Sequence, residues 1–358
     1  MKPVVVLGAG ARGADFAYMM SLGIPVLTSW QAMDLVDNFH PMYYGRPGLY
    51  GQRCANKILY NADQVIAIGC RMAIWTVGYA DFAPNAQLTM VDIDTEEIRK
   101  HPAAIGIVMD AKEFIAGMSP AHCDEWIKQC DYWRKLWPWV ESPAHDDTVG
   151  FINSYRFMER LQPMLKPDQV IVTDMGAALT SAHQVLRLKP PQRIMTSGGL
   201  GEMGCALPAA IGASFARNKG EVLCLNCDGG MMLNLQELQT IVHHKLPIKI
   251  VVFANDGYAM IKHTQNSLGL ARTATDTAGG VSCPNFVQVG RAFGMGAVEI
   301  LSWEDFDRVM PYFMGTTDPV IAQVRISPVQ AFVPKLNPVM VNGKPTSPTF
   351  DNLSPCLS

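Results

Sequence analysis

The sequence predicts an α/β protein made of two doubly wound, parallel-sheet domains. Three observations carry this. Short runs rich in Val and Ile recur along the chain, such as "PVVVL" and "IKIVVF". Patterns with helical periodicity lie between them, and that alternation calls for a parallel sheet covered on both faces. The alternation pauses once, in a Trp-rich stretch, and then begins again near Gly150.

In the first domain, residues 1–117, strands are expected at 4–7, 25–28, 64–68, 88–93 and 105–108. Helical patterns cover 11–20 and 53–60. Residues 118–149 form a linker with a helix: "CDEWIKQCDYWRKLWPWVESPAHDDT" is amphipathic until Pro138 and Pro143 break it. It should run over the surface, with its aromatics used in packing or docking. The second domain, 150–326, has strand candidates at 169–173, 193–195, 221–226, 248–254, 297–301 and 320–324. Helix candidates are 151–165, 176–188, 203–217, 234–244, 285–293 and 303–315. The tail, 327–358, is rich in proline and is expected to be an extended surface strap.

Composition narrows the function. The chain has 358 residues, 49% hydrophobic and 17% charged, with a net charge of −3, which gives no basic footprint for nucleic acid. No apolar run approaches the roughly 18 residues that would span a membrane, and the N-terminus lacks a signal-peptide pattern. Nine scattered cysteines, mostly in apolar runs, read as buried thiols of a cytoplasmic protein.

Gly8-Ala9-Gly10-Ala11-Arg12-Gly13 follows a strand and fits the dinucleotide pattern. The acid that should end the next strand is missing, because that strand ends "VLTSW". A nucleotide contact and a simple glycine turn that lets helix and strand pack both stay open. Asp94 before Thr95-Glu96-Glu97 reads as a helix cap, and Asp92 is left open.

The stretch "NCDGGMMLNLQELQTIVHHKLPIKIVVFANDGYAMI" carries more. Two strands end on oxygen side chains beside glycine, Asp228-Gly229-Gly230 and Asn255-Asp256-Gly257. Strand carboxyl ends are where open α/β sheets bind ligands. A carboxylate and an amide oxygen suit Mg²⁺, and Gly229 and Gly230 would open a helix whose N–H groups favour a diphosphate. Asp-Gly-Gly and Asn-Asp-Gly are also ordinary turn sequences, so both readings stand on these residues alone.

With Asn255 standing 27 residues after Asp228, the stretch resembles the thiamine diphosphate signature. "TSGGLGEMGCALPAAIGA", "NADQVIAIGCRM", "FAPNAQLTMVDIDTEEIRKHP" and the tail "SPVQAFVPKLNPVMVNGKPTSPTFDNLSPCL" are similar to acetolactate-synthase-like enzymes. The resemblance implies a central DHS-like domain followed by a thiamine-diphosphate-binding fold. It implies that Asp228, the Asn255 side chain and the Gly257 carbonyl ligate Mg²⁺. Gly229, Gly230 and the backbone of Asp174, Met175 and Gly176 would contact the diphosphate, with Tyr258 a further cofactor contact. Gly201 and Met203 would meet the aminopyrimidine, and the Met203 side chain would take the catalytic task of holding the cofactor bent. The bent cofactor deprotonates itself, attacks a 2-oxo acid and releases CO₂. The resemblance implies that the resulting enamine then adds to an acceptor carbonyl or is protonated.

Departures from the family pattern follow. Cys227 and Ala254 replace a usual Gly and Asn, neither of which ligates. Thr264 stands where acetolactate synthases have Trp, Trp75 where an Arg serves the acceptor, and Ala177-Ala178 where a Gln-His pair meets the diphosphate. Another acceptor is therefore expected, an aldehyde or a modified sugar ketone. Central domains of this family sometimes bind FAD, and Gly8–Gly13, Arg71 and Asp92 lie where FAD would contact. Family members also carry an N-terminal pyrimidine-binding domain whose glutamate activates the cofactor. The sequence starts almost at once with the central domain, so the resemblance implies a separate pyrimidine-domain subunit supplying that Glu, assembled as α₂β₂ with self-association. A non-catalytic flavin- or nucleotide-binding or regulatory protein that kept the fold is the alternative.

Overall fold

The computed structural model describes residues 1–78, 82–337, 339–341, 344–346 and 348–356. Part of the expected tail therefore lies outside the described residues. The chain forms two compact units, one of residues 1–144, 187–190 and 332–358, the other of 145–186 and 191–331.

The first unit holds a five-stranded parallel sheet: β1 (Pro3–Leu7), β2 (Val26–Thr28), β3 (Gln64–Ile68), β4 (Gln87–Asp92) and β5 (Ile105–Val108), in the order β2-β1-β3-β4-β5. Side chains alternate along a strand. Val4 and Val6 accordingly enter one buried cluster, with Ile58, Leu59 and Trp126, while Val5 and Leu7 enter another, with Met19, Ile68 and Ile115. Both faces are covered, as a parallel sheet requires.

Three details differ from the sequence expectation. The helix over 11–20 is split into a 3₁₀ turn, Ala9–Ala11, and a helix, Phe16–Ser21. Gly13 lies between them at φ 90°, and Asp15 restarts the helix by accepting the Tyr18 N–H at 3.0 Å. The Trp-rich helix, Asp124–Leu136, belongs to the first unit rather than to a linker, and it packs Trp126 and Cys130 into that core. The end of the tail is core as well. Phe350 and Leu353 are buried, Arg53 donates to the Leu353 carbonyl at 2.7 Å, and Asn56 donates to the Phe350 carbonyl at 2.8 Å.

The second unit holds a six-stranded parallel sheet: β6 (Val170–Thr173), β7 (Arg193–Thr196), β8 (Val222–Cys227), β9 (Ile248–Ala254), β10 (Gly296–Ile300) and β11 (Val320–Arg325), in the order β10-β11-β9-β8-β6-β7. The chain leaves β6 toward β7 on one side and then places β8 on the other. The β6–β8 pair is thus the switch point, where a crevice opens beyond the strand ends. Here too the expected helices need adjustment. Gly229 and Gly230 lie in only one helical turn, Asp228–Met231, followed by a 3₁₀ turn, Leu235–Glu237, and the helix Leu238–His244. Two glycines are weak helix formers, and Asn234 sends its amide to the Gly204 carbonyl at 2.7 Å. The helix Ala259–Ser267 was not expected from the sequence at all.

Candidate functional site

Asp174, Asp228 and Asn255 directly follow β6, β8 and β9, three neighbouring strands of one sheet. Thr173 pairs with Leu225, and Cys227 with Phe253, so the strand ends are stepped and their loops meet at the carboxyl edge.

Asp228 is 2% exposed. One carboxylate oxygen accepts from Gly229 N–H at 2.8 Å, the other from Asn255 N–H at 2.8 Å and Gly257 N–H at 3.1 Å. Burial pushes its pKa up to about 6 even though those amides favour the ionised form. A buried carboxylate held only by neutral donors suits a cation. The end of the Asn255 amide that faces Asp228 lies 2.9 Å from Asp228 Oδ1 and 2.8 Å from the Gly257 carbonyl oxygen. With nitrogen at that end, the amide donates to both. With oxygen there, three oxygens lie close together, an arrangement that a bound cation would stabilise. Neighbouring oxygens around an octahedral Mg²⁺, at about 2.1 Å from the metal, stand about 3.0 Å apart. The donor set fits that ion. Among the described residues no cluster of three His, Cys, Asp or Glu offers another metal site.

Asp256 turns away from this group, and its Oδ1 accepts from the Thr277 hydroxyl at 2.5 Å. Tyr258 lays its ring against Gly229, where an added Cβ would fall 2.5 Å from the ring.

Beside this cluster Asp174 is fully buried, and burial raises its pKa above the usual carboxylate range. Its side chain accepts from Met175 N–H at 2.8 Å and clasps Gly204 N–H at 2.8 and 3.0 Å. Asp174 therefore anchors the loop that carries Gly201 and Met203, a side-chain role not foreseen from the sequence. The signal for it is a buried acid at a strand end with no basic neighbour in sequence. Gly230 completes the join: a Cβ there would fall 2.4 Å from Asp174 Oδ2 and 3.0 Å from Asn226 Oδ1. Only glycine lets these two side chains pass. Gly201 faces the Met175 sulfur, and Met203 is partly exposed. All the residues expected at the site thus come together at one edge of the second unit.

The departures are placed as follows. Ala177 and Ala178 are fully buried, and Ala178 N–H points at the Cys227 sulfur, 3.4 Å away, whose thiol burial pushes up. Thr264 bonds back to the Met260 carbonyl on an exposed helix face. In the first unit, Trp75 stacks on Trp30 at 6.0 Å and lies 6.3 Å from the Tyr50 ring. The N–H groups of Gly8, Gly10, Ala11, Arg12 and Ala14 all bond to nearby carbonyls. Gly8 and Gly10 also pack directly on Gly69. These contacts describe a packing turn. Arg71 is mostly exposed, 3.5 Å from Glu97. Asp92 accepts Asp94 N–H, and Asp94 caps the next helix through Glu96 N–H.

The class defined here is a two-unit α/β protein with a ligand-binding edge at the switch point of its second sheet. Residues 1–118 match the family described as "Thiamine pyrophosphate enzyme, central domain", and residues 174–324 match "Thiamine pyrophosphate enzyme, C-terminal TPP binding domain". The chain belongs to the thiamine pyrophosphate enzyme family, in its acetolactate-synthase-like branch. It is 30% identical to a probable acetolactate synthase large subunit of Methanocaldococcus jannaschii, over 98% of this chain and 64% of that protein. It is 27% identical to the acetolactate synthase isozyme 2 large subunit of Escherichia coli, over 96% and 63%. An acetolactate synthase of Mycobacterium bovis is 33% identical over 82% and 50%. The chain thus spans less than two thirds of the length of these relatives. No helix among the described residues is long and apolar enough to cross a membrane.

Proposed function

We propose that this chain is the magnesium- and diphosphate-binding part of a thiamine-diphosphate-dependent carboligase, which decarboxylates a 2-oxo acid and transfers the remaining acyl unit to a carbonyl acceptor. The observation that carries this is that one end of the Asn255 amide lies 2.9 Å from Asp228 Oδ1 and 2.8 Å from the Gly257 carbonyl. When bound, thiamine diphosphate supplies an electron sink that stabilises a carbanion next to a former carboxylate. The chain's own residues bind and orient. Asp228, Asn255 and Gly257 would hold Mg²⁺, which would supply positive charge for the diphosphate. Gly229, Gly230 and the backbone of 174–176 leave room for the diphosphate to approach. Gly201 and Met203 present the loop that holds the aminopyrimidine end, with Asp174 fixing that loop from beneath. Tyr258 walls the site.

A partner chain is part of the reading. Leu200, Met203, Met232, Leu233, Ile261, Leu268 and Leu270 are exposed on the segments that follow β7, β8 and β9. Exposed apolar groups gathered at one edge mark a surface that another protein covers. A separate pyrimidine-binding subunit seated there would supply the activating carboxyl, in an α₂β₂ assembly. The test is CO₂ release from pyruvate and other 2-oxo acids, by the chain with and without a candidate partner. Activity only in the mixture supports the reading. Full activity from the lone chain rules out the shared site, and no cofactor binding in either sample rules out the function.

A further inference from the structure

Gly257 presents its carbonyl from a strained turn. Asp256 and Gly257 are both left-handed, at φ 62° and 100°. A non-glycine residue keeps that conformation only where its surroundings enforce it. Here they are the 273–281 segment, which crosses the turn as a strap. The Thr275 carbonyl accepts Tyr258 N–H at 2.7 Å, and a Cβ added to Gly257 would lie 2.5 Å from that same oxygen. The Thr277 hydroxyl donates to Asp256, as described above.

The strap is fastened from below by charge. Lys262, one turn into the helix after Tyr258, places Nζ 3.4 Å from Asp276 Oδ2, with both side chains only 4% exposed. Asp276 Oδ1 also accepts Gly279 N–H at 2.8 Å, and Arg272 stands 3.8 Å from Oδ2. A buried ion pair is seldom more stable than a well-packed apolar pair, and its best-attested use is to fix one geometry over others.

We propose that the Lys262–Asp276 pair is a positioning device: it locks the 273–281 strap over Gly257, and so aims the Gly257 carbonyl and sets affinity for the divalent cation. This rests on the magnesium reading of the site. Groups that orient a metal ligand from behind typically change affinity about 10–100-fold when removed.

The probe is Mn²⁺, titrated into the full chain and read by the electron paramagnetic resonance of the free ion, with amide exchange at Tyr258 followed in parallel. Lys262→Met should weaken Mn²⁺ about 10–100-fold and speed Tyr258 exchange, while Lys262→Arg should stay within about threefold of wild type. Mn²⁺ affinity of Lys262→Met within about twofold of wild type would overturn the proposal. So would a Lys262→Arg variant as weak as Lys262→Met. If Lys262→Met does not fold, Lys262→Met with Asp276→Asn removes the charge that Lys262 balanced and carries the same expectation. Thr277→Val reads the strap from its exposed side: loss of affinity supports the proposal, and unchanged affinity counts against it. The two readings fail differently. Mn²⁺ binding indifferent to Asp228→Ala condemns the metal site, whereas Tyr258 exchange still reports whether Lys262 governs the strap.

Discussion

Magnesium binding by this chain should weaken below about pH 6, with Asp228 as the cause. The carboxyl is almost fully buried, and its pKa stands at about 6 against an ordinary 3.8. That displacement corresponds to about 3 kcal/mol carried by the ionised form. The sign follows directly. Because the folded pKa is raised, the ionised carboxylate costs the metal-free fold its full amount above about pH 6. The cost is relieved as pH falls toward 3.8, where the unfolded chain also protonates. The metal needs the ionised form. Cation affinity should therefore be flat above about pH 7, about tenfold weaker at pH 5, and fall about tenfold per unit beyond. Each ion bound should release about half a proton at pH 6 and almost none at pH 8. Calorimetric titration with Mg²⁺ in two buffers of different ionisation enthalpy measures both. It is best done without thiamine diphosphate, since phosphate groups titrate near 6 as well. Asp228→Asn should bind weakly at every pH. Equal affinity at pH 5 and pH 8 in the wild-type chain would refute the reasoning.

Three further outcomes are expected. Gly230→Ala drives a methyl against Asp174 and Asn226, so it should cost about 1–3 kcal/mol and lower Tm by several degrees; an unchanged melt contradicts it. Asp174→Ala leaves the buried Gly204 N–H unpaired, which should cost about 1–3 kcal/mol and speed amide exchange at Gly204. Unaltered exchange would show that the loop is held otherwise. Phe350→Ala, in the buried end of the tail, should cost the first unit about 3–5 kcal/mol in denaturant unfolding; a change below about 1 kcal/mol would mean that the tail is not core.

The sheets were legible because their strands are short apolar runs buried on both faces, such as Val4–Leu7 and Ile248–Phe253. Asp228 and Asn255 were legible because each follows such a run beside glycine. Long-range roles were not. The Asp174–Gly204 clasp joins residues 30 apart; an acid at a strand end with no basic neighbour hints at a buried role but does not name the partner. The tail read as a strap because its prolines exclude regular structure, yet Phe350 and Leu353 are anchored by Arg53 and Asn56 from nearly 300 residues upstream. The helix Ala259–Ser267 escaped notice for a local reason: its first residue follows Tyr258, which makes no side-chain cap, and its apolar and polar residues are mixed. Gly13 split another helix that periodicity alone would have kept whole.

The central claim is that Asp228, Asn255 and Gly257 form the magnesium and diphosphate end of a thiamine diphosphate site. The most direct measurement is calorimetric titration of thiamine diphosphate with Mg²⁺ into wild type and Asp228→Ala, each assembled with its partner if one is required. Saturable binding to wild type that depends on Mg²⁺ and is lost in Asp228→Ala is the predicted result. Equal binding by the two proteins would contradict the account.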